Sequence, residues 1–373
     1  MIKEIKVKKI LILNWRDPKH PFAGGAEISL FEHAKYWKQM GADVTWFSSG
    51  FNSARKKENI SGINIIRRGS HFTVHFFAFW LLIRGRLGVF DVIIDSFHFI
   101  PFFTPLFIRK GRIIALINEV AGKLWYANLF FPVAFLGYYL ESLFLKLYKK
   151  HNFITSSEST YQELINYGIP KANICIVHHG INTRSINKKI KKEKNPTILF
   201  LNRISKDKGI EDTFKTFKIL KEKVKNVKLW IVGKEEKKGD LDRFIIKSSV
   251  LSLEPEIHYF GYVSEEKKIE LLRKAWILIH PSVKEGWGLT VIESASQGTP
   301  TIGYNVEGLR DSVINGKTGI LTAVDTYALV KAMLELINGK NLYRRMSIAG
   351  EEWAKNFSWR KSTQESWKVL QKN

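Results

Sequence analysis

Two glutamates eight positions apart, Glu285 and Glu293, stand in the stretch HPSVKEGWGLTVIESASQGTP at residues 280–300. Glu285 lies in a loop flanked by Gly286, Trp287 and Gly288, and the pattern predicts a helix from near Leu289, with Glu293 about a turn inside it. A helix start offers free N–H groups and partial positive charge, which suit a phosphate oxygen. Carboxylates on either side can accept hydrogen bonds from sugar hydroxyls. The glutamate spacing alone says little; the whole string, with its glycines and helix, carries the signal. A second group is NRISKDKG, residues 202–209, directly after an apolar run. Arg203 would bring a planar fork and Lys208 a point charge to a diphosphate at a strand end. In a chain with 59 basic residues this pair alone would pass for surface charge, and the 285–293 string gives it meaning. The third group is WRDPKHPFAGGAE, residues 15–27, where Gly24 and Gly25 let backbone approach a ligand before a helix that opens at Ala26 or Glu27. It is not G-x-G-x-x-G, so the dinucleotide fingerprint is absent, and a purely structural glycine turn is the alternative.

The elements that must position these residues alternate between short β-branched runs and helical patterns, the mark of a parallel sheet covered on both faces. In the first half, strands are predicted at 7–14, 43–48, 63–67, 91–95, 112–117, 152–155 and 174–178, with a helix at 26–40. Around 180–196 the chain turns polar and lysine-rich and ends in Asn195-Pro196, as a linker does. A second series follows, with strands at 197–202, 227–232, 256–260, 276–280 and 300–304 and helices at 209–224 and 264–274. The tail 357–370 reads as a closing helix. Two doubly wound domains make a cleft between sheet edges where ligands bind, but architecture does not name the ligand.

Length and composition set the outer bounds. The 373 residues fit two domains and, at 45% hydrophobic, a globular chain. One cysteine, Cys175, excludes a disulfide framework and a cysteine zinc site, and points to a reducing compartment. The apolar run of the N-terminus is too short for a secretion signal and reads as a first strand. The net charge of +24 is spread evenly: residues 1–186 carry 24 basic and 12 acidic side chains, and the remainder 35 and 23. Such a surface attracts anions, whether nucleic acid, nucleotide phosphates or acidic lipids. No helix-turn-helix, RNA-recognition or zinc-finger pattern supports nucleic acid as the partner. Aromatic runs at 71–83, 97–108 and 124–148 all fall in the first half, flanked by Arg84, Arg86, Arg109, Lys110, Arg112, Lys146, Lys149 and Lys150. They fit a face dipping into one anionic leaflet, against the plainer alternative of a large aromatic core. Asp240 and Asp242 form D-x-D but are expected to cap a helix. His71 and His75 lack the glutamate of a zinc protease, and His178 and His179 are expected to be structural or to line a cleft.

With these stretches in place, the chain resembles the retaining glycosyltransferases of family 4, the group 1 glycosyltransferases. The resemblance runs through the GGAE loop, the HHGIN segment, the R-x4-K pair, the E-x7-E motif and the closing helix. It implies an α/β GT-B fold of two Rossmann-like doubly wound domains facing a central cleft. An acceptor-binding domain would cover 1–185, a nucleotide-sugar domain 186–356, and a helix over 357–373 would cross back to the first. It implies catalytic roles for Arg203, Lys208 and Glu285, the first two on the donor diphosphate and the third on the donor sugar. Glu293 would meet the ribose hydroxyls, with Gly286, Trp287, Gly288 and Leu289 beside the donor and Gly24 and Gly25 against diphosphate or acceptor. Many members carry a histidine after the fifth N-terminal strand. Here that segment has Asn118 and Glu119, and His98 is the nearest candidate for the acceptor side. No cofactor or metal is expected. The expected partners are a nucleotide sugar, a lipid-linked or glycan acceptor and an anionic membrane surface, with no nucleic acid. The expected location is cytoplasmic and peripheral, on the inner membrane face. Without paired carboxylates of the hydrolase kind, retention would proceed by same-face attack with the leaving phosphate as base. A soluble-acceptor transferase or a nucleotide-sugar epimerase of the same fold is the alternative.

Overall fold

A computed structural model of the chain describes residues 7–182, 191–248 and 250–372, except the side chains of residues 127, 128, 251, 252 and 254. The chain forms two compact units: one runs to Gly180 and resumes at Trp359, and the other spans Ile181–Ser358.

The first unit holds β1 (Lys9–Leu13), α1 (Gly25–Gln39), β2 (Asp43–Ser48), β3 (Lys57–Ile60), β4 (Ile63–Arg67), α2 (Val74–Ile83), β5 (Val92–Ser96), β6 (Arg112–Leu116), α3 (Leu124–Asn128), α4 (Phe131–Leu147), β7 (Asn152–Thr155), α5 (Glu158–Asn166) and β8 (Ile174–Ile176). The sheet order is β3-β4-β2-β1-β5-β6-β7-β8, parallel except for β3. The apolar runs of β1, β2 and β5 are buried on both faces, as a helix-covered parallel sheet requires. Strand β3 is absent from the sequence reading because KENI is polar. What makes it a strand is the two-residue turn Ser61-Gly62, with φ of 51° and 83°, which folds it back on β4. The order of strands reverses between β1 and β5, so the loops leaving their C-terminal ends diverge there and open a crevice.

The terminal helix, Trp359–Gln371, packs on α1 of this unit. Trp37 Nε1 donates to Ser366 Oγ at 3.0 Å, and His33 Nε2 lies 2.9 Å from Ser362 Oγ. Trp367, Val369 and Leu370 join Ile10, Ile12 and Val44 in one core.

Helix α4 is fixed by its polar side. Glu141 is buried and accepts the Ala121 and Gly122 N–H groups at 2.7 and 2.8 Å. A Cβ on Gly137 would sit 2.2 Å from the Trp125 ring. Trp125 is therefore core, 2% exposed, and does not belong to an outward aromatic face. The outward face is made instead by Phe130, Phe131, Phe135, Leu136, Tyr139 and Leu143, all exposed.

The second unit holds β9 (Thr197–Leu201), α6 (Ile210–Lys223), β10 (Lys228–Val232), α7 (Asp240–Lys247), β11 (Ile257–Tyr259), α8 (Glu265–Lys274), β12 (Ile277–His280), α9 (Leu289–Ser296), β13 (Thr301–Tyr304), α10 (Leu309–Ser312), β14 (Gly319–Thr322), α11 (Thr326–Asn338) and α12 (Lys340–Ala354). Its sheet is wholly parallel, in the order β11-β10-β9-β12-β13-β14, and reverses between β9 and β12. Edge strand β14 was not anticipated from the sequence.

The lysine-rich stretch expected as a linker up to Pro196 is docked for part of its length. Glu193 N donates to Lys274 O at 2.9 Å, Trp276 Nε1 donates to Glu193 O at 2.8 Å, and Lys192 Nζ donates to Ala275 O at 2.7 Å. The rest of it, residues 183–190, lies outside the described residues.

Since Trp367 is a large core side chain contributed by the last helix, Trp367→Ala is expected to destabilise the protein by about 3 kcal/mol or more. Urea unfolding followed by circular dichroism measures this, and an unchanged midpoint would contradict the packing.

Candidate functional site

In the second unit the reversal point sits between the loops that follow β9 and β12, and the sequence packs those loops together. Gly209 has φ of +77°, and a Cβ there would lie 2.0 Å from the Pro281 carbonyl. Gly308, at φ of +75°, leaves only 2.2 Å between such a Cβ and the Glu285 carbonyl. Only glycine permits both approaches. Backbone bonds seal the three loops: Val283 N to Asp207 O at 3.0 Å and Glu285 N to Glu307 O at 3.2 Å.

On this frame Lys208 Nζ meets Glu285 Oε1 at 2.8 Å, with both side chains less than one-fifth exposed. His280 Nε2 lies 3.8 Å from the same oxygen, and its Nδ1 is 3.1 Å from Ser282 Oγ. Burial pushes the Glu285 carboxyl up, but the Lys208 and His280 charges and their neighbours outweigh it and hold it below the usual range. Burial pushes His280 down and Lys208 adds to the fall, while Glu285 opposes it. Arg203 stands on the same loop as Lys208, 39% exposed, 3.1 Å from Asp207 and 3.8 Å from Glu236. Gly288 is the N-cap of α9, and no side chain caps that helix. Leu289 starts the helix, and Glu293 lies on it with Oε1 2.7 Å from Lys268 Nζ. Trp287 is different from its neighbours: its ring is 3% exposed and packs edge-on against Phe357, 5.1 Å between centroids, so it anchors the loop from beneath.

The corresponding point of the first unit carries a different network. Glu27 is wholly buried; its Oε2 accepts the Gly24 N–H at 2.8 Å, closing the start of α1, which begins at Gly25. Arg16 donates to Glu27 Oε1 at 3.1 Å and to the Phe22 carbonyl at 2.8 Å. His98, two residues past β5, places Nδ1 3.2 Å from Arg16 Nη2 and Nε2 3.1 Å from Glu27 Oε1. Burial would raise the Glu27 carboxyl, but Arg16, His98 and the Gly24 amide bring it down to about 2. Burial and the Arg16 cation lower His98. Through Arg16 and Glu27 it ties loop 15–24 to the end of β5. Asp17 fixes the same loop through a two-pronged contact with buried Arg67, at 2.7 and 2.8 Å. Asn118 follows β6; its carbonyl accepts Thr160 Oγ1 at 3.0 Å, and Glu119 is half-buried on the same turn.

Sequence reasoning missed Arg16, Glu27 and Arg67 as a framework, although Gly24-x-x-Glu27 has the spacing of a capping box. It also missed Asp95, which accepts Phe102 N at 2.9 Å, Thr104 Oγ1 at 2.7 Å and Tyr148 OH at 2.5 Å, tying down the loop after His98. Asp240 is not a helix cap: Gly239 holds that place, and Asp240 accepts the Lys237 N–H at 2.7 Å. Among the described residues no cluster of three or more His, Cys, Asp or Glu side chains could hold a metal ion.

Two family models match the chain. "Glycosyltransferase Family 4" covers residues 23–185 and "Glycosyl transferases group 1" covers 182–353. The chain belongs to these glycosyltransferases. Its fold is GT-B, with two Rossmann-like domains. The chain is 29% identical over 228 residues to the capsular polysaccharide biosynthesis glycosyltransferase CapM of Staphylococcus aureus, covering 60% of this chain and 58% of that one. It is 24% identical over 243 residues to the N,N'-diacetylbacillosaminyl-diphospho-undecaprenol alpha-1,3-N-acetylgalactosaminyltransferase of Campylobacter jejuni, covering 61% and 59%. The matches span between about a third and three-fifths of the relatives CapM, MJ1178 of Methanocaldococcus jannaschii and a Mycobacterium tuberculosis glycogen synthase: 58%, 37% and 50%. Among solved structures, sucrose-phosphate synthase of Thermosynechococcus elongatus superposes with a TM-score of 0.77 at 17% identity, covering 97% of this chain and 98% of that one. HepE of Anabaena, in complex with UDP and glucose, gives 0.72 at 15%, covering 97% and 99%.

The buried pair makes the protein's stability depend on both partners. Lys208→Met leaves Glu285 uncompensated and is expected to cost about 3 kcal/mol at neutral pH, most of it recovered in Lys208→Met/Glu285→Gln. Because the folded-state pKa of Glu285 is depressed, its contribution in the parent is present above the ordinary carboxyl pKa and is lost as pH falls through the folded value. In Lys208→Met the carboxyl is pushed up instead, so the deficit shrinks as acid protonates it. Denaturant unfolding across the acid range reads both effects, and a pH-independent deficit would contradict them.

Proposed function

We propose that the protein transfers a sugar from a nucleoside-diphosphate sugar to an acceptor with retention of the anomeric configuration. The observation that carries this is the Lys208–Glu285 pair, set beside the uncapped start of α9 at the reversal point of the second unit's sheet. Open α/β sheets bind ligands at that point, and the donor set there matches a diphosphate joined to a hydroxyl-rich sugar.

In this reading breaking the anomeric C–O bond builds positive charge on the sugar and negative charge on the departing pyrophosphate. Lys208, Arg203 and the N–H groups of Gly288 and Leu289 face the negative charge, and their preorganisation is the main source of rate. Glu285 holds Lys208 in place and accepts hydrogen bonds from the donor sugar. Glu293 accepts from the ribose. Gly24 and Gly25, whose loop is locked by Arg16, Glu27 and His98, serve the acceptor side with Asn118 and Glu119. The acceptor's hydroxyl proton passes to the leaving phosphate as the new bond forms on the same face. Pyrophosphate charge is met by protein cations and amides, without a metal ion.

The acceptor is lipid-linked in this reading, which two observations favour. One relative is named for a diphospho-undecaprenol substrate. The first unit also exposes large apolar side chains: Phe72, Phe76, Phe79 and Ile83 around α2, and Phe130, Phe131, Phe135 and Leu136 at the start of α4. Contacts between Phe79 and Phe107, and between Phe103 and Phe144, link both helices to the loop between them. Basic residues flank these segments, so the surface suits an anionic leaflet. Among the described residues no helix is long and apolar enough to cross a membrane.

With nucleotide sugars and membrane lipids supplied, Arg203→Ala, Lys208→Ala and Glu285→Ala should each lower release of nucleoside diphosphate by about 100-fold or more while circular dichroism stays unchanged. Full turnover in all three would refute the assignment. In flotation, Phe131→Ser/Phe135→Ser should abolish co-migration with vesicles containing anionic lipid and leave the fold intact. Equal flotation of parent and variant, or none by the parent, would exclude the membrane face and favour a soluble acceptor.

A further inference from the structure

Glu293 does not stand alone at the donor site. Lys268, on α8, reaches it with Nζ 2.7 Å from Oε1, and the same ammonium lies 2.9 Å from Glu265 Oε2. The Lys268 and Glu293 side chains are largely buried, at 20% and 15% exposure, whereas Glu265 is 40% exposed. Ser264 caps α8 by accepting the Lys267 N–H, which sets the register that brings Lys268 toward α9. Among the described residues Oε2 of Glu293 makes no hydrogen bond, so one oxygen is held and the other is left for a ligand.

We propose that Lys268 is a positioning residue for the nucleotide: it fixes Oε1 of Glu293 and so presents an ionised Oε2 to the ribose hydroxyls. This rests on the donor-site reading given above. A buried carboxyl without a cation would take up a proton and turn from acceptor into donor. Burial already pushes Glu293 up, Lys268 opposes that, and Glu265 adds to it as a like charge. These two α8 residues are the charged groups that reach Glu293; Glu351 of α12 lies instead beneath Gly298, past the helix's C-terminal end. Lys268 therefore opposes both burial and Glu265, which still leave the carboxyl above its usual range, and without it Glu293 rises further.

The sign follows. With Lys268 removed, the protonated fraction of Glu293 grows as pH falls, and nucleotide affinity falls with it.

The experiment is calorimetric titration of the full chain with UDP, ADP and GDP between about pH 6 and about pH 8.5, with melting temperature recorded for every variant. The parent should bind at least one of the three, and its own profile, which includes the terminal-phosphate ionisation at about pH 6, is the reference for each variant. Lys268→Met should bind that nucleotide about 10-fold more weakly at the alkaline end, with the gap widening toward pH 6. Lys268→Arg should restore affinity to within a few-fold, and Glu265→Gln in the Lys268→Met background should recover part of the loss by removing the like charge. Parent-like affinity of Lys268→Met at every pH would overturn the proposal, as would a pH-independent loss that Lys268→Arg does not repair. Binding of none of the three by the parent would instead overturn the donor-site reading on which the proposal stands.

Discussion

A carboxylate and an ammonium held 2.8 Å apart at the point where a parallel sheet changes direction is the constraint around which the second unit is organised. Burial opposes the Glu285 charge, and Lys208 is the first of the groups that make it tolerable. The loops that deliver them are packed so tightly that Gly209 and Gly308 can carry no side chain. Trp287 belongs to the same arrangement. Its indole fills the core below the loop, which leaves its backbone and that of Gly288 at the helix start above.

The first unit solves a related problem with other residues. Its reversal point is held by Glu27, Arg16 and His98, and the long loop between β1 and α1 is further secured by Asp17 on Arg67. The α4 helix has two unlike faces. One carries Glu141 and the Gly137 notch that receives Trp125, and the other carries exposed aromatic rings. A surface helix anchored through a buried carboxylate can leave its apolar side open without losing its place. That separation distinguishes this face from ordinary core.

Much of this was legible in the sequence for physical reasons. Buried parallel strands are continuous β-branched runs, so β1, β2, β9 and β12 announce themselves. Strand β3 did not, because its register comes from the Ser61-Gly62 turn and not from an apolar pattern. The helix at α9 was legible because its flanking glycines mark where it starts and stops. The partners of buried charges were not. Lys268 with Glu293 joins residues 25 positions apart, Arg67 with Asp17 joins residues 50 apart, and His98 with Arg16 joins residues 82 apart. Sequence spacing shows which groups could do chemistry, but only the fold shows which of them are occupied in holding one another. The aromatic stretch at 124–148 shows the same limit: its composition suggested one face, whereas Trp125 turns inward and Phe131 outward.

The central claim is that Lys208, Arg203 and the start of α9 together receive a pyrophosphate. The most direct measurement is a crystal structure of the protein soaked with UDP-glucose or UDP. The account predicts diphosphate oxygens within about 3 Å of Lys208 Nζ, of the Arg203 guanidinium and of an α9 N–H group. Density for the diphosphate elsewhere on the second unit, with Lys208 still engaged only by Glu285, would contradict it.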